Sequence, residues 1–391
     1  MLLPSLVALV GSTALGLAGS PAASPRAWVA TLLAWGLLVT WLIPRREDAR
    51  PLAGRDLFRL ALVAAMLRLP LLAVDPTLSD DLYRFTWEGR TWLAGFSPFA
   101  HAPDSPALSH LRDDVWARVN HREVSSIYPP GAQLLFVVVA SQGVATWRWF
   151  VTLCDIGTAV VLARRDHVAG WTWALLPLPA VEAATGGHLE PVATLALAVA
   201  LVDQSSLGAW VGAMVKLLPG VLLLRQRPRT MLVAAIATAL AFAPLLGDGF
   251  TRGFEAYRAH WSFNGSVYPA LVGLGLGGGN VRLGLQAVGV IVTGWALWRC
   301  RDPVQLCLWV FGAFVMLSPT VHPWYVLWPL VPALLLRRWA WVGLGALVPL
   351  AYLVLATLDP LTGAWAEQTW VRWAIYLPFY ALLARETAWP R

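Results

Sequence analysis

The sequence predicts an all-α protein that threads a membrane many times, and three observations predict it. The 391 residues are 58% hydrophobic and only 13% charged, where soluble globular chains carry roughly 25% charged residues. Apolar runs recur from the N-terminus to Trp389 and leave no room for a separate soluble domain. The basic residues behind the net charge of +7 sit in short clusters between those runs. That is the positive-inside pattern of membrane proteins, not a nucleic-acid-binding face. A single integral-membrane domain over residues 1–391 follows, with membrane lipids as neighbours and no nucleic-acid partner.

A helix needs about 20 largely apolar residues to cross the hydrocarbon core. Taken in order, the candidate spans are 3–20, 27–43, 57–74, 146–163, 169–185, 189–203, 230–246, 282–298, 304–318, 323–336, 339–356 and 370–384. The expected total is roughly 11–13 transmembrane helices. Residues 1–24 have the apolar run and small residues of a signal peptide but lack its basic start, and read as a retained first helix. Arginine clusters fall at Arg45/Arg46/Arg50/Arg55, Arg164/Arg165, Arg225/Arg227/Arg229, Arg299/Arg301 and Arg337/Arg338. With all five inside, both termini are cytoplasmic and the interval 75–130 lies outside.

Three apolar stretches then fail as full crossings: 131–142, 207–224 and 266–279. The second carries Pro219 and Gly220 near its middle and returns to the side it began on. Broken or re-entrant helices of this kind survive in a membrane only when buried in protein or lining a wet cavity. Cys154, Cys300 and Cys307 make no metal spacing and no disulfide framework; a free Cys in such surroundings packs as a small hydrophobe. Most of the 23 Trp residues read as interfacial anchors. No internal repeat marks an inverted-repeat transporter. No P-loop, HExxH, CxxC or GxSxG motif is present.

The topology matters because of where it puts the polar residues. The outer loop 75–130 opens with Asp80 and Asp81 and continues through Tyr83, Glu88 and Arg90 to Tyr128. GGHLE, with His188 and Glu190, falls at an outer junction. WSFNGSVYP, with Trp261, Asn264 and Tyr268, and SPTVHPWY, with His322, Trp324 and Tyr325, fall on the same face. Ionisable residues at membrane depth default to functional candidates. Lys216 stands out as the one lysine among 29 basic residues, set in the apolar MVKLLPG. A buried ammonium needs a carboxylate or phosphate partner; snorkelling or a helix-pinning ion pair is the alternative reading. Ser79, Asp80 and Asp81 can cap a helix starting at Leu82, although capping needs only one of them. His188 and His322 can each be a satisfied buried histidine. Arg112, Asp113, Asp114 and Arg118 read as a surface amphipathic helix.

Five segments in order, SDDLYRFTWEGRTWLAGFSPFAHAP, SSIYPPGAQLLF, GGHLEPVATLALA, MVKLLPGVLLL and SPTVHPWYVLWPL, resemble the C-superfamily (GT-C) of integral-membrane glycosyltransferases. Within it, the likeness is to bacterial polyprenyl-phosphate-mannose-dependent mannosyltransferase-like proteins. The resemblance spans about residues 57–336, so the two N-terminal spans before residue 50 are additional. It implies a protein of the bacterial cytoplasmic membrane with its active site on the extracytoplasmic side, part of cell-envelope synthesis. It implies a polyprenyl-phosphate sugar donor and a lipid-linked or glycan acceptor. It places Asp80 at the catalytic base, with Asp81 the close rival. Eukaryotic members carry Asp-x-Asp-Tyr here; Asp80 and Tyr83 keep that spacing, but Leu82 stands where the second Asp would be. The departure implies a metal-independent reaction with no cofactor.

Physical chemistry supports the same roles. One carboxylate must take the proton of the attacking hydroxyl, and its pKa near 4 must be raised by burial or by a neighbouring charge to work near neutral pH. The lipid phosphate leaves without a general acid and needs positive charge or hydrogen-bond donors instead. Lys216 and Arg90 are the candidates for donor phosphate, with His188 and His322 as further donors. Tyr83, Glu88, Tyr128, Glu190, Trp261, Asn264, Tyr268, Trp324 and Tyr325 are expected to shape the cavity. A transporter or flippase of a lipid-linked sugar, acting without chemistry, is the alternative.

Overall fold

The computed structural model describes residues 1–43, 47–243, 249–359 and 365–388. Arg45 and Arg46, the end of the expected span 230–246, and Trp389 fall outside the described residues. Among those described there is no β-strand, only isolated bridges joining Phe263 and Asn264 to Thr320.

The chain begins with α1 (Leu2–Ala18), α2 (Pro25–Leu42) and α3 (Gly54–Leu72). The interval 75–130 contributes α4 (Asp81–Leu93) and a single turn, α5 (Asp114–Ala117). Next come α6 (Pro130–Ala140), α7 (Gly143–Ala163), α8 (His167–Leu175), α9 (Pro177–Ala184), α10 (Glu190–Val202) and α11 (Ser206–Val215). The remainder is α12 (Pro228–Phe242), α13 (Arg252–His260), α14 (Val267–Gly273), α15 (Gly278–Arg299), α16 (Pro303–Leu317), α17 (Leu327–Leu335), α18 (Trp339–Leu347) and α19 (Thr369–Ala388). Among the described residues, four segments are long and apolar enough to cross a membrane: α2, α7, α15, and α18 with its 3-10 continuation to Thr357. Shorter apolar helices accompany them, among them α1, α10, α11, α12 and α16. The protein is an all-α, polytopic membrane protein.

Proline explains one break in the predicted spans, and a second falls before the proline expected to cause it. The stretch 169–185 divides into α8 and α9 at Leu176, which is extended (φ −68°, ψ 140°) before Pro177; the residue before a proline is pushed out of the α region. The segment 207–224 was expected to break at Pro219 and Gly220. It breaks earlier, at the extended Lys216 (φ −145°, ψ 124°), and resumes as a 3-10 helix from Leu218 to Arg225. Pro219 sits in the first turn of that helix, where its missing N–H costs nothing. The expected amphipathic helix over Arg112–Arg118 shrinks to the single turn α5, capped by the Asp113 carboxylate.

Two buried arginines lock the helices that carry the loop. Arg68 of α3 pairs with Asp155 of α7 at 2.6 Å, both side chains 0% exposed. Arg68 also donates to the carbonyl of Ala174 at 2.7 Å, and Trp173 Nε1 donates to Asp155 at 2.8 Å. Arg148 donates to the carbonyls of Ala184, Leu71 and Val74, closing the C-terminal ends of α9 and α3, where carbonyls otherwise lack partners. Between α4 and α6, Gly89 permits close approach: a Cβ there would lie 2.1 Å from the carbonyl oxygen of Phe136. That contact seats α4, and with it Asp80 and Asp81.

Candidate active site

α4 begins at Asp81, one residue before the expected start, with Asp80 at its N-cap. Asp80 makes no side-chain capping bond; the hydroxyl of Ser79 accepts from the Asp81 amide at 3.2 Å instead. The Asp81 carboxylate accepts from Asn120 Nδ2 at 3.3 Å. Both aspartates line a cavity of about 270 Å³. Its wall includes Tyr128, Lys216, Trp261, His322, Trp324 and Tyr325, contributed by segments far apart in sequence. Asp80 keeps contact with solvent, yet the protein around the concavity strips enough water to raise its pKa to about 6, with the negative charge of Asp81 adding to the shift and Arg118 opposing it. A carboxylate in water-poor surroundings prefers its neutral form.

Lys216 occupies the unwound corner after α11, and its Nζ lies 2.9 Å from Glu190 at the start of α10. The ammonium also sits 5.3 Å from the ring centre of Tyr128 and 5.9 Å from that of Trp328, within cation–π range. The lysine is 17% exposed and Glu190 1%, so the cation meets the cavity and the carboxylate lies behind it.

The GGHLE segment forms a second layer behind the wall. Gly187, at φ 63°, makes the turn between α9 and α10 in a conformation that suits glycine. It leaves His188 buried, with Nδ1 2.8 Å from Glu182 and its ring stacked on Trp324 at 3.8 Å. On the other face of Trp324 lies His322, parallel at 4.4 Å. The Tyr352 hydroxyl donates to both oxygens of Glu182, at 2.8 and 2.9 Å.

Several expected site residues lie elsewhere, each for a visible reason. Arg90, expected at the donor phosphate, lies near the far end of α4, where it pairs with Asp113 and does not line the cavity. Glu88 is buried and accepts from Ser126 and Gln133 at 2.7 Å each, so it anchors α4 instead of facing a substrate. Tyr83 turns its hydroxyl to Arg118, which donates at 2.7 Å. Asn264 is buried (2% exposed), donating to the Val321 carbonyl at 3.2 Å, and shapes the hairpin from behind. Tyr268 stacks under Arg282 at 4.8 Å, away from the cavity. His188 and Glu190 support wall residues without lining the wall.

The cavity also draws in side chains that sequence reasoning missed. Arg84 donates to the carbonyls of Asn120 and His121 at 2.6 Å each, fixing the loop that supplies these two lining residues. Tyr257 and Tyr325 share a hydroxyl contact at 2.8 Å. Tyr352 offered a signal as a tyrosine inside the apolar span 339–356; Asn120 and His121 offered none. Among the described residues no three His, Cys, Asp or Glu side chains gather as a metal-binding group.

Helices and cavity together define a polytopic membrane protein with a polar, aromatic-walled site built around paired aspartates and one lysine. In sequence the chain is similar to a protein of Mycolicibacterium smegmatis named probable alpha-(1->6)-mannopyranosyltransferase. The two are 24% identical over 402 aligned positions, covering 79% of this chain and 68% of that protein. The mannosyltransferase likeness read from the five segments thus agrees with the name of this relative. No family model matches the chain, and no solved structure matches it.

Proposed function

We propose that the protein is a membrane glycosyltransferase that moves mannose from a polyprenyl-phosphate donor to a lipid-linked or glycan acceptor on the extracytoplasmic side. The observation that carries this reading is the convergence of Asp80, Asp81, Lys216 and His322 on one aromatic-walled cavity. The similarity to a protein named as a mannopyranosyltransferase supports mannose as the sugar.

In this mechanism the acceptor hydroxyl oxygen attacks the anomeric carbon and gives its proton to the Asp80 carboxylate. The bond from that carbon to the phosphate oxygen breaks, its electron pair leaves with polyprenyl phosphate, and the configuration inverts. A pKa of about 6 leaves Asp80 mostly ionised at neutral pH while making it a stronger base than an ordinary aspartate. Lys216 meets the negative charge that grows on the leaving phosphate, the kind of preorganised electrostatic help that lowers such barriers. Glu190 holds the ammonium in place from behind. His322 supplies a further hydrogen-bonding group on the same wall.

The reaction is metal-independent, so chelation with EDTA is expected to leave the rate unchanged; loss of activity restored by a divalent cation would contradict this. The direct experiment incubates purified protein in liposomes with radiolabelled polyprenyl-phosphate mannose and an acceptor lipid extract. A new mannosidic product supports the reading. Translocation of the label with no new glycosidic bond would replace it with a flippase.

A further inference from the structure

Both faces of Trp324 are covered: His188 stacks on one at 3.8 Å and His322 on the other at 4.4 Å, only 2° from parallel. A hexose docks on an aromatic side chain by laying its apolar face against the ring, so an indole with neither face free is not a sugar platform. The stack has another purpose, and its connections suggest which. Behind it, His188 contacts Glu182 at 2.8 Å, and Glu182 receives two contacts from Tyr352. Glu182 and His188 are both 0% exposed. The two ends of this column, Tyr352 and His322, line the cavity; Glu182 and His188 do not.

Resting on the transferase reading above, we propose that Glu182, His188 and Trp324 are positioning residues that hold the His322 ring in one orientation, aiming its hydrogen-bonding edge at the reacting donor. An imidazole that can rotate meets the substrate in many geometries. One clamped between a parallel indole and the ring of Phe263, 5.2 Å away, meets it in one. Each layer supplies part of the restraint. Glu182 fixes the tilt of His188 by contact at Nδ1, His188 fixes the plane of Trp324, and Trp324 fixes the plane of His322. The buried pair is costly to desolvate, and the hydroxyl of Tyr352 offsets part of that cost.

The test is a double-mutant cycle on mannose transfer by the full-length protein in liposomes. Trp324→Leu, which removes the stack, is expected to lower kcat about tenfold with little change in donor KM, the pattern of an interaction expressed in the transition state. Trp324→Phe, which keeps an aromatic face, is expected to recover most of that loss. In a His322→Ala background, Trp324→Leu is expected to add almost nothing, because the residue being positioned is gone. Should Trp324→Leu fail to fold, judged by thermal unfolding in detergent, Glu182→Gln serves in the same cycle with the same expected non-additivity. Equal losses in the presence and absence of His322, or a loss confined to KM, would overturn the positioning role while leaving the transferase reading intact. A wild-type protein that forms no glycosidic bond would overturn both.

Discussion

Two acid–base pairs among the apolar helices, Arg68–Asp155 and Lys216–Glu190, look alike in sequence and do different work. In the first, both side chains are fully buried and the guanidinium is further occupied by the Ala174 carbonyl. Every charge faces protein, so the pair joins α3 to α7 and α8. In the second, the carboxylate is buried but the ammonium reaches a cavity that also holds two aspartates. The lysine stands at a break in its helix, where the backbone is extended; the arginine stands within an unbroken one. A charge is structural when its partners exhaust it and available for chemistry when one side stays open. That distinction is invisible in hydropathy and plain in the contacts.

The largest expected effect breaks the closed pair. Asp155→Asn leaves the Arg68 charge buried without its counter-ion, a change that typically costs about 3–5 kcal/mol, and thermal unfolding in detergent should show severe destabilisation. Lys216→Met alone would strand the buried Glu190 carboxylate, so the open pair is tested in a Glu190→Gln background. There Lys216→Met should leave the unfolding temperature nearly unchanged while mannose transfer falls on the order of a hundredfold, as when an electrostatic donor is lost from an active site. Destabilisation by Lys216→Met in that background as severe as that by Asp155→Asn would erase the contrast. A smaller effect comes from the seat of the aspartates. Gly89→Ala forces α4 away from α6, at about 1–3 kcal/mol for overpacking, and should lower both stability and transfer.

The smallest effect is a matter of pH. Because the folded protein raises the Asp80 pKa to about 6, it binds that proton more tightly than the unfolded chain does. The associated stability is therefore fully present below about pH 4, the unfolded value, and is lost as pH rises through about 6. Relative to Asp80→Asn, wild type should lose unfolding temperature slightly across that window. Over the same window transfer should rise, since the base must be ionised. A wild-type rate that stays flat from pH 5 to 7 would remove Asp80 from the role.

Much of this arrangement is legible in the sequence, because local rules govern it. The start of α4 follows from Ser79-Asp80-Asp81, the break before Pro177 from proline sterics, and the singularity of Lys216 from its isolation among arginines. What is not legible is depth. Asp80 and Glu88 lie on one helix and are both carboxylates, yet one edges a cavity and the other is sealed by Ser126 and Gln133. His188 and His322 each sit beside Gly or Pro, but only tertiary packing decides which of them fronts Trp324 and which backs it. Arg90 stands away from the cavity, paired with Asp113, a partner 23 residues away that no periodicity announces.

The most direct test of the central claim measures mannose transfer from radiolabelled polyprenyl-phosphate mannose by wild type, Asp80→Asn and Asp81→Asn in liposomes. The account predicts a new mannosidic product with wild type and a rate lowered about 100- to 10,000-fold by Asp80→Asn, the range spanned by loss of a general base, with both variants folded. Wild-type turnover by Asp80→Asn would contradict it, and loss confined to Asp81→Asn would move the base to Asp81.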